Sequence, residues 1–505
     1  GYADLGCYGA KGFETPNIDR MAEDGLRFTN FYVSEAVCSA SRSSLLTGCY
    51  AQRIGIRGAL NPIAFTGLHP EETTIASMLR PMGYRTAIYG KWHLGHRLEF
   101  LPANFGFDEY FGLPYSNDMW PVGYDGLPAS EGTKGLYPGL CLLEDSVCVR
   151  EVRTLEDQAE LTTLYTQKAV DFIYRNKDNP FFLYLPHSMV HVPLGVSEKY
   201  AGQSARGMFG DVMMEVDWSV GQVLEALEDN GLDDNTLVIY TSDNGPWLNY
   251  GNHAGSAGPF REGKGTAWEG GVRVPCIMKW PEKIGAGKTT DAFATTMDLL
   301  PAIAAITGAR LPDKKIDGLD ISGVIFSDTA ASPRDEFYYY YEGGLRGVRK
   351  GKYKLMLPHR SRSYEGQEPG RDGFPGPTAV KEVRLALYDL EADPGEQYDL
   401  SEGLPGVVED LMLIADRARA DLGDDITDVK GSGVRPCGRI GGIDSVMNIA
   451  RGKTITLVAQ PVNRYSAEGP STLIDGSLAS LDFLDGRWLG FRGNDLEAVI
   501  DLGEV

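Results

Sequence analysis

Strand-like and helix-like segments alternate along the first 310 residues or so, and this alternation constrains the fold more than any other feature of the sequence. Strands are predicted at 85–95, 180–188 and 235–245, and helices at 71–84, 157–177 and 210–231. Such an order predicts an α/β domain in which a mixed, largely parallel sheet is flanked by helices.

Polar side chains follow the three strands at the point where each strand ends. In chain order they are Lys91 and His93, His187 and His191, and Asp243 and Asn244. Because ligand sites in such sheets lie at the carboxyl ends of the strands, we expect these groups to cluster at one edge. Adjacent carboxylate and amide oxygens at 243–244 suit a hard cation such as Ca²⁺ or Mg²⁺, although a simple turn is the more common reason for such a pair.

The stretch VCSASRSSLLTGCY at 37–50 places Cys38 among small hydroxylated residues, one helical turn before Arg42. A buried structural thiol needs no such neighbour, whereas a reactive thiol can use one. Lys264 lies in the Gly-rich segment GKGTAWEGG, where backbone amides and an ammonium group can reach an anion. Together these segments predict a nucleophile, several cations and a hard-metal site at one sheet edge.

Charge and cysteine content exclude several classes of protein. The chain has 505 residues, with 48 Lys and Arg against 70 Asp and Glu, a net charge of −22, which argues against a nucleic-acid partner. We find no apolar run long enough to predict a membrane span. Seven cysteines are too few, and odd in number, for a disulfide scaffold. Cys141 and Cys148 are close enough in sequence to form a disulfide that closes a small ring. The alternative is that both remain free thiols.

Four segments are predicted along the chain. Residues 1–334 form the α/β domain, and the Tyr-rich, Gly-punctuated segment 335–425 forms a smaller subdomain with an antiparallel sheet. The Gly-, Asp- and Ser-rich segment 426–446 is predicted to be a linker. Short strand patterns in 447–505 predict part of a β-sandwich.

The order of motifs over residues 1 to about 425 resembles the formylglycine-dependent sulfatase family, of the arylsulfatase type. The matching segments are GYADLGCYG, TPNIDRMAEDGLRFTNFY, CSASRSSLLTG, GKWHLG, FGFDEYFGLPYSND, PFFLYLPHSMVHVP, TSDNGP, GKGTAWEGGVRVP and LYDLEADPGEQYDL. The resemblance implies an alkaline-phosphatase-like fold and hydrolysis of sulfate esters. Ala40 stands where most members have proline. The family also has two aspartate metal ligands just upstream of the segment that begins at Gly1, so we expect the sequence to be a piece of a longer chain.

The resemblance also implies the roles of individual residues. Cys38 is expected to be oxidised before folding to formylglycine (3-oxoalanine) by a formylglycine-generating maturation enzyme, and a hydroxyl of its hydrate to attack sulfur. Residue 38, Asp243 and Asn244 are expected to bind one Ca²⁺, with Mg²⁺ as the alternative. The remaining implied roles are a lowered hydroxyl pKa through Arg42, sulfate binding by Lys91, Lys264 and Ser116, protonation of the leaving alcohol by His191 with Lys264, and deprotonation of the second hydroxyl by His93. His187 matches no catalytic position and is predicted to be structural or on the substrate side.

Three features outside this set predict contacts with substrate. A basic run at 346–362, including Arg349 and Arg360, is expected to reach the pocket rim and bind a polyanion, with a solvated hairpin as the alternative. Trp120 is a candidate for stacking on a sugar, with a core position as the alternative. The segments DGRWLGF and DLEAVIDLG resemble the start of a discoidin-like (coagulation factor 5/8 C-terminal) carbohydrate-binding module.

The sequence therefore predicts a Ca²⁺-dependent hydrolase of sulfate esters on a sugar or polysaccharide, secreted or periplasmic. One alternative is a phosphomonoester or phosphonate hydrolase of the same superfamily, although such an enzyme would normally show a Ser or Thr nucleophile and ligands for two metals. The other is a non-catalytic glycan-binding protein.

Overall fold

The computed structural model describes residues 1–129, 132–327 and 329–440, together with the backbone of two short strands at 454–457 and 498–501. The helices of these residues are α1 (Pro16–Glu23), α2 (Cys38–Thr47), α3 (Ile75–Leu79), α4 (Leu155–Ala159), α5 (Leu161–Arg175), α6 (Met208–Asp229), α7 (Glu269–Val272), α8 (Leu299–Thr307), α9 (Ser322–Phe326) and α10 (Pro405–Leu422). No helix of this part of the chain is long and apolar enough to span a bilayer.

The strands are short, with two to seven residues each. They are β1 (Leu26–Phe28), β2 (Phe31–Tyr32), β3 (Thr66–Gly67), β4 (Arg85–Tyr89), β5 (Glu109–Gly112), β6 (Leu140–Glu144), β7 (Val147–Val152), β8 (Phe181–Tyr184), β9 (Val238–Thr241), β10 (Cys276–Lys279), β11 (Lys288–Thr290), β12 (Ala294–Thr295), β13 (Glu336–Tyr341), β14 (Gly344–Lys350), β15 (Tyr353–Met356), β16 (His359–Ser363), β17 (Ala379–Val383), β18 (Ala386–Asp389), β19 (Gly438–Arg439), β20 (Thr454–Leu457) and β21 (Ala498–Asp501).

Two larger sheets and the short pair β12-β2 lie in the α/β part. The first has the order β7-β6-β5-β4-β8, in which β4 pairs in parallel with β5 and β8 while β6 and β7 are antiparallel. The second has the order β11-β1-β10-β9, with a parallel pair only at β1 and β11. Helices α5 and α6 pack on each other, α5 lies against β4 and β5, and α1 lies against β10. The predicted mixed sheet with flanking helices is confirmed, with a larger antiparallel share than expected.

An elongated cavity of about 1110 Å³ separates these sheets. Strand β8 is an edge strand of the first sheet and β9 is an edge strand of the second, and both line the cavity. Their side chains are therefore only half buried, although their sequences, FFLY and VIYT, are largely apolar. The cavity extends to the carboxyl ends of both strands, where Arg42, Lys91 and Asp243 also line it.

Local sequence explains where the predicted helices end. The segment 71–84 is helical only over α3, after which a 3₁₀ turn containing Pro81 leads to Gly83. Gly83 has φ +86°, a left-handed conformation that commonly ends a helix and that glycine adopts without steric strain. The segment 157–177 divides into α4 and α5, and α4 is capped by reciprocal hydrogen bonds between Thr154 and Asp157. Cys141 and Cys148 form a disulfide across the β6–β7 hairpin.

The Tyr-rich subdomain contains the predicted antiparallel sheet, in the order β13-β14-β15-β18, with α10 packed on β14 and β15. It belongs to the same compact unit as the α/β part, residues 1–438. Buried Arg53 helps to join the two, because its Nη2 lies 2.6 Å from the carboxylates of both Asp317 and Asp421.

The predicted linker differs from the structure in its first half. Residues 426–438 pack into the compact unit, where Arg435 Nε lies 2.7 Å from Glu72 Oε1 and the Arg435 amide donates to the Arg53 carbonyl. These contacts offset the conformational entropy that a Gly-rich segment loses when it becomes ordered. Within the second unit, residues 439–505, β20 and β21 pair antiparallel. The rest of the predicted discoidin-like module lies outside the described residues.

Candidate active site

Cys38 is the first residue of α2, and Val37 before it is extended, so the thiol lies at the amino end of a helix. The side chain is buried. Burial alone would raise the pKa of the Cys38 thiol, but the ammonium groups of Lys264 and Lys91 and the neighbouring rings of His191 and His93 outweigh it, and the pKa lies well below its ordinary value. The helix dipole acts in the same direction. The surroundings of residue 38 therefore favour negative charge.

Lys264 links this thiol to His191. Its Nζ lies 3.5 Å from Cys38 Sγ and 2.7 Å from His191 Nε2. The loop that carries Lys264 favours Gly265 at its next position, because Gly265 has φ +82°, a left-handed conformation that strains other residues. The Lys264 amide donates to Pro246 O at 2.8 Å, which fixes the loop against the segment after β9.

His191 has a defined tautomer. A lysine ammonium only donates, so Nε2 is the acceptor in the contact with Lys264, and Nδ1–H donates to Val192 O at 2.7 Å. Asp118 Oδ1 lies 3.8 Å from the same Nδ1. Burial would raise the pKa of Asp118, but the His191 ring and the Ser116 hydroxyl hold it below its usual range. The imidazole thus has a cation at one nitrogen and a carboxylate near the other.

Lys91 and His93 follow β4 and lie on another side of residue 38. The Lys91 ammonium donates to Ser116 Oγ at 3.1 Å, and burial lowers the pKa of this lysine. His93 Nε2 lies 2.7 Å from Leu60 O, whereas its buried Nδ1 has no hydrogen-bond partner among the described residues. Its backbone has φ +59°, a left-handed conformation that is uncommon in residues other than glycine. In a chain of charge −22 these groups form a local positive region.

Asp243 and Asn244 follow β9 and face the start of α2. Arg42 Nη2 and Nε lie 2.8 and 3.0 Å from Asp243 Oδ2, and Asn244 Oδ1 lies 3.7 Å from Cys38 Sγ. Carboxylate and amide oxygens beside residue 38 fit a hard cation in kind. The described residues contain no cluster of three or more His, Cys, Asp or Glu side chains that could bind a metal by themselves. A Ca²⁺ or Mg²⁺ ion here would therefore need further oxygen ligands.

A buried ionic cluster supports the Lys264 loop from the side of the Tyr-rich subdomain. Lys354 Nζ lies 2.6 Å from Glu396 Oε1 and 3.1 Å from Glu269 Oε1, and all three side chains are fully buried. The Glu269 amide, at the start of α7, donates to Glu396 Oε2 at 2.8 Å. Because α7 directly follows the Lys264 loop, the subdomain helps to fix the position of a site residue.

Trp120 and part of the basic run lie elsewhere than expected. Trp120 is 1% exposed and packs in an apolar core, so the expectation that it stacks on a sugar is wrong. Arg349 is buried on β14, where Nη1 donates to the Tyr32 hydroxyl at 2.7 Å, and it is not at a pocket rim. Arg360 is exposed and paired with Glu382. His187 Nε2 contacts Ser219 Oγ at 3.2 Å, a contact that fits the structural role among the two alternatives predicted for it.

Two residues of the site were not predicted from sequence. Asp118 lies two positions after Ser116 in the segment SND, which is the signal that could have indicated it. Trp247 follows Asn244 by three residues, and its ring centroid lies 4.4 Å from Lys264 Nζ and 5.4 Å from the ring centroid of His191. Both approach the site through loops, which periodicity does not place.

The chain matches models of known protein families over most of its length. Residues 1–309 match the sulfatase family, residues 332–439 match the C-terminal region of aryl-sulfatase, and residues 262–364 match the C-terminal region of N-sulphoglucosamine sulphohydrolase.

Individual relatives agree with this match. Human arylsulfatase A is 38% identical over 432 residues, which cover 82% of this chain and 83% of that protein. Mouse N-acetylgalactosamine-6-sulfatase is 37% identical over 429 residues, 79% of this chain and 80% of that one. Among solved structures, the PsFucS1 sulfatase from Pseudoalteromonas sp. superposes with a TM-score of 0.73 at 28% identity, covering 85% of this chain and 90% of its own.

These matches agree with the geometry around Cys38. The motif that begins α2, the cations beside it and the oxygen pair after β9 lie within the segment that matches the sulfatase family. The mixed α/β fold with a sheet-rich C-terminal region is the sulfatase and alkaline-phosphatase-like fold. The chain belongs to the sulfatase family and is a sulfuric ester hydrolase.

Proposed function

We propose that the protein hydrolyses sulfate esters of sugars with a formylglycine derived from Cys38 as its nucleophile and with one bound Ca²⁺. The observation that carries the proposal is the position of Cys38. It begins a helix and lies 3.5 Å from Lys264 Nζ, with Lys91, His93 and His191 around it. These neighbours favour an anionic oxygen or sulfate at residue 38, whereas a structural cysteine would gain nothing from them.

The aldehyde hydrate would supply two hydroxyls at residue 38, one to attack sulfur and one to release the sulfate afterwards. The residues around it bind and orient the substrate. Lys91 and Lys264 bring two ammonium groups to the sulfate oxygens, and Ser116, held by Lys91, adds a hydroxyl donor. Fixed positive charge beside the transferred group stabilises the transition state more than the ground state.

Proton transfer is assigned to the Lys264–His191 pair and to His93, which lie beside residue 38. The proton between Lys264 Nζ and His191 Nε2 is the one that we expect to reach the leaving alcohol, since a sugar alkoxide is a poor leaving group. His93, whose Nδ1 has no partner among the described residues, is placed to accept a proton from the second hydroxyl. Asp118 and the Val192 carbonyl orient the His191 ring.

Asp243, Asn244 and residue 38 would hold the Ca²⁺, with Mg²⁺ as the alternative. The ion would supply positive charge next to residue 38 and to the sulfate oxygens. Arg42 keeps the Asp243 carboxylate oriented through its two contacts of 2.8 and 3.0 Å. The further oxygen ligands are proposed to come from the two aspartates that the resemblance places upstream of Gly1, and Gly1 lines the same cavity as Asp243.

Three further parts of the proposal have different support. A sugar substrate is supported by similarity to N-acetylgalactosamine-6-sulfatase, whose name specifies a sulfated sugar. A secreted or periplasmic location is supported by the Cys141–Cys148 disulfide, since such bonds persist in oxidising compartments. A formylglycine-generating enzyme is proposed as the maturation partner. It must act before folding, because Cys38 is buried in the folded chain.

The test combines mass spectrometry with a substrate screen. The full chain, extended upstream of Gly1 in its natural context, is expressed with a formylglycine-generating enzyme, and the tryptic peptide 28–42 is weighed. We expect the mass loss of thiol-to-aldehyde conversion, and calcium-dependent release of sulfate from sulfated sugars, absent in Cys38→Ala. Converted protein that releases phosphate from phosphate esters but no sulfate would contradict the proposal.

A further inference from the structure

Aromatic rings from three loops form a continuous series that leads away from the His191–Lys264 pair. Trp247 is nearest to the pair, and its ring centroid lies 4.9 Å from that of Tyr250. Tyr250 is followed by Tyr124 at 6.3 Å and Tyr124 by Phe374 at 6.0 Å. The series passes from the reacting centre to the surface without a gap, which a set of unrelated surface residues would not do.

The outer two rings face solvent. Tyr124 is 44% exposed and Phe374 is 48% exposed, whereas Tyr250 beneath them is buried. Large aromatic faces exposed next to an active site are typical of ligand contacts, because burying them against a ligand contributes free energy at a small cost in side-chain entropy.

The loop that carries Phe374 is held in place. The amides of Gly370 and Gly376 both donate to the Asn249 carbonyl, at 2.8 and 2.7 Å, and Asn249 Nδ2 donates to Gly376 O at 3.0 Å. Asn249 lies two residues after Trp247, so the same segment positions both ends of the series. The rings are therefore preorganised for a ligand.

A cation lies beside the outer rings. Lys134 Nζ is 5.2 Å from the centroid of the Tyr124 ring and donates to the Asp118 backbone carbonyl at 2.6 Å. Among the described residues no carboxylate lies within 4.0 Å of this ammonium group. Lys134 thus holds an ammonium group above an aromatic face and next to the site, where the Asp118 carboxylate also acts on it.

We infer that Tyr124, Lys134, Trp247 and Phe374, here called the aromatic platform, bind the sugar unit adjoining the sulfated one in an anionic oligosaccharide. This inference rests on the proposed function and specifies its substrate. The C–H faces of a pyranose ring are apolar and match the faces of Tyr124 and Phe374, while Lys134 pairs with a carboxylate or sulfate on that ring. An alkyl sulfate would use the rings but would have no group for Lys134.

Binding to a full-length Cys38→Ala chain tests the platform without depending on turnover. The probes are a chondroitin 6-sulfate tetrasaccharide with the sulfated N-acetylgalactosamine at its non-reducing end, and the N-acetylgalactosamine 6-sulfate monosaccharide, both measured by calorimetry. We expect the tetrasaccharide to bind about tenfold more tightly, which one stacking contact and one ion pair can supply. Phe374→Ala and Lys134→Gln are each expected to remove most of this advantage, whereas Tyr398→Ala, at a ring that is 69% exposed elsewhere in the Tyr-rich subdomain, retains it.

Several results would overturn the inference. They are equal affinity for the two sugars, an advantage that survives both platform substitutions, and tighter binding of dodecyl sulfate than of the tetrasaccharide. The proposed function is judged separately, by sulfate release from the converted enzyme. Platform binding without sulfate release would reject the function and keep the platform, and release of sulfate with equal affinities would do the reverse.

Discussion

Replacing Lys354 by methionine removes the cation that contacts both Glu269 and Glu396 in the fully buried cluster. Leaving buried carboxylates without their cation is among the most destabilising single changes, and we expect a loss of about 3–5 kcal/mol in the free energy of unfolding at pH 8. The loss is bounded because Glu269 keeps Arg273, whose Nη1 lies 3.7 Å from Oε2, and because Glu396 can take up a proton. Urea denaturation followed by tryptophan fluorescence measures the change.

The pH dependence follows from Glu396. Burial raises its pKa to about 7 even with Lys354 present. A carboxyl group whose folded pKa is raised contributes stability below its unfolded pKa and loses it as pH rises through the folded value. In Lys354→Met that folded pKa rises further, so the native protein keeps its proton to higher pH. With about 1.36 kcal/mol per pH unit, the loss at pH 8 should exceed the loss at pH 6 by about 1.4 kcal/mol.

A surface pair provides the matched control. Arg417 Nη2 lies 2.8 Å from Glu336 Oε1 in the same subdomain, but both side chains reach solvent, so Arg417→Met should cost less than about 1 kcal/mol at either pH. The reasoning is refuted if Lys354→Met costs no more than Arg417→Met, or if its cost is greater at pH 6 than at pH 8.

The remaining predictions concern the site and the joint between the α/β part and the subdomain. Lys91→Ala should lower kcat/KM for a sulfated sugar by about 10²–10³-fold, because an ammonium group beside the sulfate is lost, and steady-state kinetics measures it. His191→Asn should lower kcat on a sugar sulfate by about 10²–10⁴-fold but hardly change it on p-nitrophenyl sulfate, whose leaving group needs no proton; equal losses would contradict the assigned role. Arg53→Met should cost about 3 kcal/mol of unfolding free energy in urea, since Asp317 and Asp421 then lose their shared cation.

The sequence predicts that most residues of the candidate site lie together, because the site is built from segments that follow strands. Lys91 after β4, His191 after β8 and Asp243 after β9 lie together for the reason that alternating strands and helices predicted. Apolar periodicity alone also predicts α6 to within a few residues.

What the sequence does not reveal is long-range pairing of charge and the course of loops. Lys354 belongs to the basic run that the sequence predicts to reach the pocket rim or to form a solvated hairpin, yet it is buried on β15 and contacts Glu269, which is 85 residues away. The sequence singles out Trp120 as a sugar contact and does not single out Trp247. Only the packing of the loops shows that the first lies in a core and the second beside His191.

Because Cys38 is buried at the start of α2, its proposed modification competes with folding of this segment. In the folded chain the thiol is buried, so the proposed conversion to formylglycine would have to be completed while this segment is still unfolded. The active fraction of the protein then depends on two rates, the rate of modification of Cys38 and the rate at which folding buries it. Any substitution that speeds folding of this region would yield a stable but unconverted population. Specific activity would then fall although stability rises.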